Sequence, residues 1–292
     1  MICFNNIEQI VGIWKSGLGN QMFHYAGLRG IASTKNYEFC IPPNTLLDDF
    51  FTLKGATYGV LEKEYQAKNL FDTFPYNKNF IDNCPDNVSI RGYFFSERYF
   101  EHIKKDIRSD FTFKPEILNT CLEIRSKYSS PIVAIQVRRG DYETSSDLLC
   151  CHKNYYLNAL SILDSKLGSN LPVLVISNDP EWCLDTFEGD RFIFIVDSDE
   201  RQSSSKEPKS YSYLESIEQK HPNRKIIYVP NFGYSMCLMT LCDHFIISNS
   251  TFGVWGAWLA NKGFVIHPTK VFKHIPIEYY PKYWNWMNLR GW

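Results

Sequence analysis

A chain of 292 residues, 44% hydrophobic and 22% charged with a net charge of -1, is long enough for one large domain or two ordinary ones and has a packed globular composition. The balance excludes a disordered chain and, since Lys and Arg are scattered rather than gathered in a stripe, a nucleic-acid surface. Nine cysteines without a CxxC pair, Cys150 and Cys151 being adjacent, read as reduced thiols. There is no basic leader and no apolar run of about 18 residues. The expected location is the cytoplasm, free or in loose association with the inner membrane surface, with no transmembrane segment.

The first expected element is a strand, Ile10 to Trp14, that runs into "KSGLGNQMFHYAG", Lys15 to Gly27. Its glycines suggest a phosphate loop, but the Lys-Ser/Thr that closes such a loop is missing. The pattern instead predicts a sharp turn at Gly17 and Gly19 and a helix from about Asn20, whose first amides either face a ligand or simply complete a βα turn. Met22, Phe23, Ala26, Gly27, Gly30 and Ile31 recur at helical spacing and predict one packing face whose glycines bring it close to a sheet. Phe50 to Phe80 is aromatic-rich and has no clear period. A helical stretch from Lys114 to Tyr128, ending at Ser129-Ser130-Pro131, predicts a junction, so that residues 1–130 form an N-terminal α/β domain.

Beyond the junction the pattern turns regular. Ile132 to Val137, Val173 to Ser177, Phe192 to Val196, Ile226 to Val229, Phe245 to Ser248 and Phe264 to His267 are short apolar runs, expected as parallel strands buried on both faces. Helices are expected between them at Tyr155 to Leu167, Glu181 to Phe187, Tyr234 to Cys242 and Phe252 to Ala260. This is doubly wound α/β architecture over residues 131–272. The polar stretch Asp197 to Lys209 is expected as a mobile surface loop, and residues 273–292 read as a C-terminal tail.

Ligands of open parallel sheets collect at the carboxyl ends of the strands. Three strand ends carry chemistry. In "VAIQVRRGDY", Arg138 and Arg139 with Gly140 and Asp141 suit a doubly charged anion such as a diphosphate, or else one arginine simply pairs with Asp141. In "HFIISNSTFGVWGAWLA", Asn249, Ser250 and Thr251 open an apolar helix and form an anion site or a plain cap. In "VISNDPEW", Asn178, Asp179 and Pro180 read as a helix start, with capping and a functional contact both open.

The blocks "SGLGNQMFHYAG", "RGYFFSERYF", "VAIQVRRGDY", "VISNDPEW", "LMTLCDHFIISNSTFGVWGAWLA" and "FVIHP" occur in this order, and together the chain resembles the inverting α-1,2-fucosyltransferases of bacteria and, with a membrane anchor added, of animals. The resemblance runs from about residue 11 to residue 272. It implies a glycosyltransferase B fold, two Rossmann-like domains facing a cleft, with GDP-β-L-fucose as donor and the 2-hydroxyl of a terminal galactose as acceptor. It places Gly19, Asn20, Gln21 and Glu97 on the acceptor side. On the donor side it places Gln136, Arg138, Arg139, Asn178, Asp179, Asn249, Ser250, Thr251 and Phe252.

The chemistry follows from the bond broken. Negative charge grows on the departing diphosphate, and Arg138 and Arg139 with the helix end at Ser250 and Thr251 supply fixed positive potential. No metal and no cofactor beyond the donor is expected, the "DSD" at Asp197 to Asp199 being the sole candidate metal ligand set. The acceptor hydroxyl must lose a proton, for which Asp141, Glu97 and Asp179 are the candidate bases, while Asn20 orients the hydroxyl. The chain departs from the family pattern in three places. Gln136 stands where His is usual, Ser235 where an acidic residue is usual, and Gly253-Val254 where Ser-Trp is common. A same-fold enzyme using another sugar nucleotide, or a catalytically weak sugar-binding relative, stays open.

Overall fold

The computed structural model describes residues 1–8, 16–168, 170–198, 211–273, 280–283 and 285–290. The strand expected at Ile10 to Trp14 lies outside the described residues, as does all of the polar stretch after Ser198. The chain forms two compact units that divide between Lys114 and Pro115, the second also taking in Lys282–Trp292. The division therefore precedes the helix that the sequence reading assigned to the first domain.

The first unit runs β1 (Ile2–Cys3), α1 (Leu18–Lys35), β2 (Phe39–Cys40), α2 (Leu46–Phe50), β3 (Glu64–Gln66), α3 (Lys78–Asn83), β4 (Val88–Arg91) and α4 (Lys104–Asp110). Among the described residues its four strands make a parallel sheet ordered β2-β1-β4-β3. α1 starts at Leu18, earlier than expected, because Gly17 is its N-cap at φ -68 and Gly19 already lies in the helix. No left-handed turn occurs at either glycine. Burial runs almost all round α1, from Leu18, Gln21 and Met22 to His24, Tyr25 and Leu28, so it is a core helix rather than one with a single packing face. The nearest neighbours of Gly27 and Gly30 are not strand residues. A Cβ on Gly30 would stand 2.0 Å from the Tyr99 carbonyl oxygen, and one on Gly27 would stand 2.5 Å from the Phe94 Cβ. They let α1 press on the segment "RGYFFSERYF", where Phe23 also packs on Phe95 and Phe100.

The second unit runs α5 (Pro115–Ser126), β5 (Val133–Val137), α6 (Lys153–Leu167), β6 (Val173–Ser177), α7 (Pro180–Thr186), β7 (Phe192–Asp197), α8 (Tyr211–Lys220), β8 (Lys225–Val229), α9 (Phe232–Leu241), β9 (His244–Ile247), α10 (Thr251–Ala260), β10 (Val265–Pro268) and β11 (Trp286–Leu289). α5 belongs here because Cys121 donates to the Tyr234 carbonyl at 3.5 Å and Arg125 pairs with Asp243 at 3.0 Å. The seven strands form one parallel sheet, ordered β11-β10-β9-β5-β6-β7-β8. β11 lies in the stretch read from the sequence as a tail and pairs with β10 as an edge strand. One face of the sheet buries Val133, Ile135, Val175, Phe194 and Ile246 against Tyr155, Tyr156, Leu163 and Phe187. Burial on both faces is what makes these strands continuous apolar runs.

Strand order reverses at one place. From β5 the chain moves outward through β6, β7 and β8, then returns to the other side of β5 as β9. The carboxyl ends of β5 and β9 therefore flank the crevice in which an open α/β sheet takes its ligand.

Candidate active site

Residues at the ends of β5, β6 and β9 meet at this reversal. Gln136 lies opposite both Ile176 and Ile247 in the ladders. Adjacent strands run about 4.8 Å apart, so Arg138 and Ser248 leave the sheet side by side. Gly140 makes the exit possible, its φ of 64 lying in the left-handed region.

The two arginines are held differently. Arg139 is nearly enclosed. Its Nε donates to Asp179 at 3.3 Å, its Nη2 donates to Glu143, and its guanidinium lies 4.1 Å from the Trp182 ring centre. Asn178 grips its backbone from both sides, accepting from the Arg139 amide at 2.9 Å and donating to the Arg139 carbonyl at 3.0 Å. Arg138 is looser. Its Nη2 donates to Asp141 at 2.9 Å, and its guanidinium carbon stands 5.4 Å from the Tyr142 ring centre. The Arg138 Nε is buried and has no hydrogen-bond partner among the described residues. An ion pair as exposed as Arg138–Asp141, 31% and 42%, is worth about 0–1 kcal/mol, so a ligand anion can displace Asp141 at little cost.

On the β9 side, Ser250 is the N-cap of α10 but its side chain makes no cap hydrogen bond, and no acidic residue stands in the first turn. Thr251 and Phe252 are half-buried there. The amide end of this ten-residue helix thus carries no acidic residue of its own, and such an end favours an anion. Among the described residues no group of His, Cys, Asp and Glu could hold a metal ion, and no helix is long and apolar enough to cross a membrane.

Four expected contact residues have other work. Asp179 caps α7, accepting from the Trp182 amide at 3.2 Å, while it holds Arg139. Asn178 is occupied by the Arg139 backbone. Asn249 is 1% exposed, and its amide is bound to the Leu149 and Val271 carbonyls. Gln136 lies beneath the crevice rather than in it. Its Oε1 accepts from the Ser248 hydroxyl at 2.7 Å, and its Nε2 donates to the Val137 carbonyl. Ser235 donates to Asp197 at the end of β7, so a carboxylate does stand beside that position, supplied by another element.

In the first unit, Gly19 and Gln21 are buried and Asn20 is half-buried, the third residue of α1. Gln21 braces the chain before the helix, its Nε2 donating to the Ser16 carbonyl at 2.9 Å, while its Oε1 is buried without a partner among the described residues. Glu97 is half-buried in the 3-10 turn Glu97–Tyr99. Sequence reasoning missed Tyr142, Glu143 and Trp182. The signal was their spacing from groups already noted: Glu143 and Tyr142 follow Arg139 and Arg138 by four residues, and Trp182 sits in the first turn of α7.

The profile of glycosyl transferase family 11 matches residues 14–207 and 219–286. The chain is 26% identical to the α-1,2-colitosyltransferase of Escherichia coli, an alignment covering 90% of this chain and 92% of that protein. It is 25% identical to galactoside 2-α-L-fucosyltransferase SEC1 of Bos taurus over 84% of this chain, which spans 63% of the bovine protein's length. A solved structure of an Arabidopsis thaliana FUT1 mutant in complex with GDP matches with a TM-score of 0.50 and 13% identity, covering 90% of this chain and 70% of that one. This last likeness is one of fold, the α/β fold of glycosyltransferase B type expected from the sequence.

Proposed function

The chain belongs to glycosyl transferase family 11, and we propose that it transfers L-fucose from GDP-β-L-fucose, with inversion, to the 2-hydroxyl of a galactoside. The observation that carries this reading is the buried Nε of Arg138, unpartnered among the described residues, beside an exchangeable ion pair at the strand reversal. A charged donor buried without an acceptor is costly, and a diphosphate oxygen would satisfy it.

In this reading Arg138 gives up Asp141 for the diphosphate, and the amide end of α10 with Ser250, Thr251 and Phe252 takes further phosphate charge. Charge that grows on the departing phosphate in the transition state is met by groups already in place. Arg139, held by Asn178, Asp179, Glu143 and Trp182, fixes the loop that presents Arg138. Asn20 and Gly19 engage the acceptor. Asp179 is committed to Arg139 and α7, which leaves Asp141 and Glu97 as the bases that take the acceptor proton. The neutralisation is metal-independent, and the reaction belongs to the cytoplasm.

A second donor, colitose, is favoured by the alignment over nearly the whole length of the E. coli colitosyltransferase. Colitose is fucose without its 3-hydroxyl, and a site built to hydrogen-bond that hydroxyl rejects the deoxy sugar strongly. The test is transfer from GDP-fucose to a β-galactoside in excess EDTA, with the linkage read by NMR and the colitose nucleotide as competitor. An α-1,2-fucosyl product that survives EDTA is expected. Turnover of the colitose nucleotide alone replaces fucose as donor, and an absolute requirement for magnesium or manganese overturns the metal-independent mechanism.

A further inference from the structure

We infer that Asn249 is a positioning residue that fixes the Arg138 loop against the start of α10, an inference that rests on the nucleotide-sugar reading of that crevice. Its Nδ2 donates to two backbone carbonyls, Leu149 at 2.7 Å and Val271 at 2.9 Å. Its Oδ1 accepts from the Cys151 thiol at 3.8 Å, and its own carbonyl accepts from the Tyr142 hydroxyl at 3.5 Å.

Asn249 and these partners come from three separate connections on the carboxyl edge of the sheet. Leu149 and Tyr142 belong to the loop that begins with Arg138. Val271 follows β10. Asn249 itself stands between β9 and α10. The first two connections are also tied to each other, the Leu149 amide donating to Val271 at 3.2 Å and the Lys273 amide to Asp147 at 2.8 Å. A loop of this length is held in place at its far end by Asn249 and near its start by Tyr142. The Tyr142 ring in turn lies beside the Arg138 guanidinium. A short path of contacts therefore runs from Asn249 to the group proposed to bind the diphosphate.

The residue type follows from the geometry. Two carbonyls need two hydrogens from one small side chain, and the primary amide of Asn provides both. Aspartate provides none when ionised and one when protonated, and serine provides one. Because Asn249 is buried, water cannot replace what a substitution removes.

The test is Asn249→Asp, read by GDP calorimetry, by hydrogen exchange across residues 140–149 without nucleotide, and by melting temperature. At pH 8 the new carboxylate faces two carbonyl oxygens. Exchange in the loop should rise at least tenfold and GDP affinity should fall at least tenfold, with donor KM raised more than kcat is lowered. Burial and the facing acceptors raise the pKa of that carboxyl, so lowering the pH protonates it, restores one donor and recovers part of the affinity. The neighbouring Cys151 thiol and Tyr142 phenol, both pushed up to about 12 by burial, do not titrate in that range. Wild type should show no such recovery. Asn249→Ser, with one donor at every pH, should fall between the two in exchange and affinity, and it carries the test if Asn249→Asp does not fold. A wild-type protein that binds no GDP overturns the nucleotide reading. A wild-type protein that binds it, with variants that match it in loop exchange and in affinity, overturns the role of Asn249.

Discussion

The Oε1 of Gln136 lies 2.6 Å from where a Cβ on Gly253 would stand. The absent side chain of one residue is the space the other occupies. Gln136 is held there by the Ser248 hydroxyl and amide, so it cannot swing away without losing both bonds. Two residues 117 positions apart by their numbers therefore share one space, and neither can change size without the other.

Gly253→Ala should accordingly destabilise the protein by about 1–3 kcal/mol through overpacking. Adding Gln136→Ala should cost less in that background than in wild type, since the methyl then has room. Chemical denaturation of the four proteins gives the coupling, expected at about 0.5–3 kcal/mol. Strictly additive losses would mean that the two residues are independent.

Arg138→Ala and Arg139→Ala should part company. Arg138 has one exchangeable partner among the described side chains, so its loss should reduce GDP affinity at least tenfold with little change in melting temperature. The Arg139 side chain is tied to Asp179, Glu143 and Trp182, so its removal should lower the melting temperature as well. Asn178→Ala should resemble Arg139→Ala in both measurements. An Arg139→Ala protein of normal stability that binds no GDP would show that Arg139, too, is a ligand group.

Asn20 is inside α1 and Gly17 is the cap, so Asn20→Ala removes no cap and exchanges a poor helix former for the best. Stability should change by less than about 1 kcal/mol. Turnover should fall tenfold or more while GDP affinity stays within about threefold, the pattern of a group that acts on the acceptor. Normal turnover removes Asn20 from the reaction.

Stability should fall on acidification below about pH 6.5. Burial holds His24 and His267 down at about 4, against the opposite pull of the carbonyls they bond, and it lowers His244 as well. In the unfolded chain each titrates near 6.5. Between these values the unfolded chain binds protons that the folded one does not, so the stabilisation is full above about 6.5 and is lost as pH falls toward 4. Each imidazole contributes a slope of up to about 1.4 kcal/mol per pH unit. Urea midpoints at pH 7.5, 6.5 and 5.5 test this, with His267→Gln expected to flatten the curve. A flat curve for wild type refutes it.

The second unit was largely legible because its inner strands are buried on both faces, so runs such as "VLVIS" and "FIFIV" mark themselves without any partner in view, whereas the edge strand β11 does not. The first unit was not. Its strands are two to four residues long, too short for a period, and they exist through their neighbours in the sheet. The strand-end rule located Arg138, Arg139 and Ser250 correctly in the fold. It could not distinguish the arginines, because what separates them is Trp182, Asn178 and Glu143, which reach Arg139 only after folding. Nor could it foresee that Asn249 turns inward, since an Asn at a helix start looks the same whether it faces a ligand or two carbonyls.

The reversal of strand order also has a kinetic consequence. β5, β6, β7 and β8 are joined by successive crossovers and can assemble outward along the chain. The β5–β9 seam, where Ser248 donates to Gln136 across 112 residues, must wait for a much longer loop to close, and such non-local pairings slow folding. The seam is also where Arg138 meets the start of α10. Competence to bind nucleotide should therefore be the last property gained in refolding, arriving after the bulk of the sheet has already buried its apolar faces.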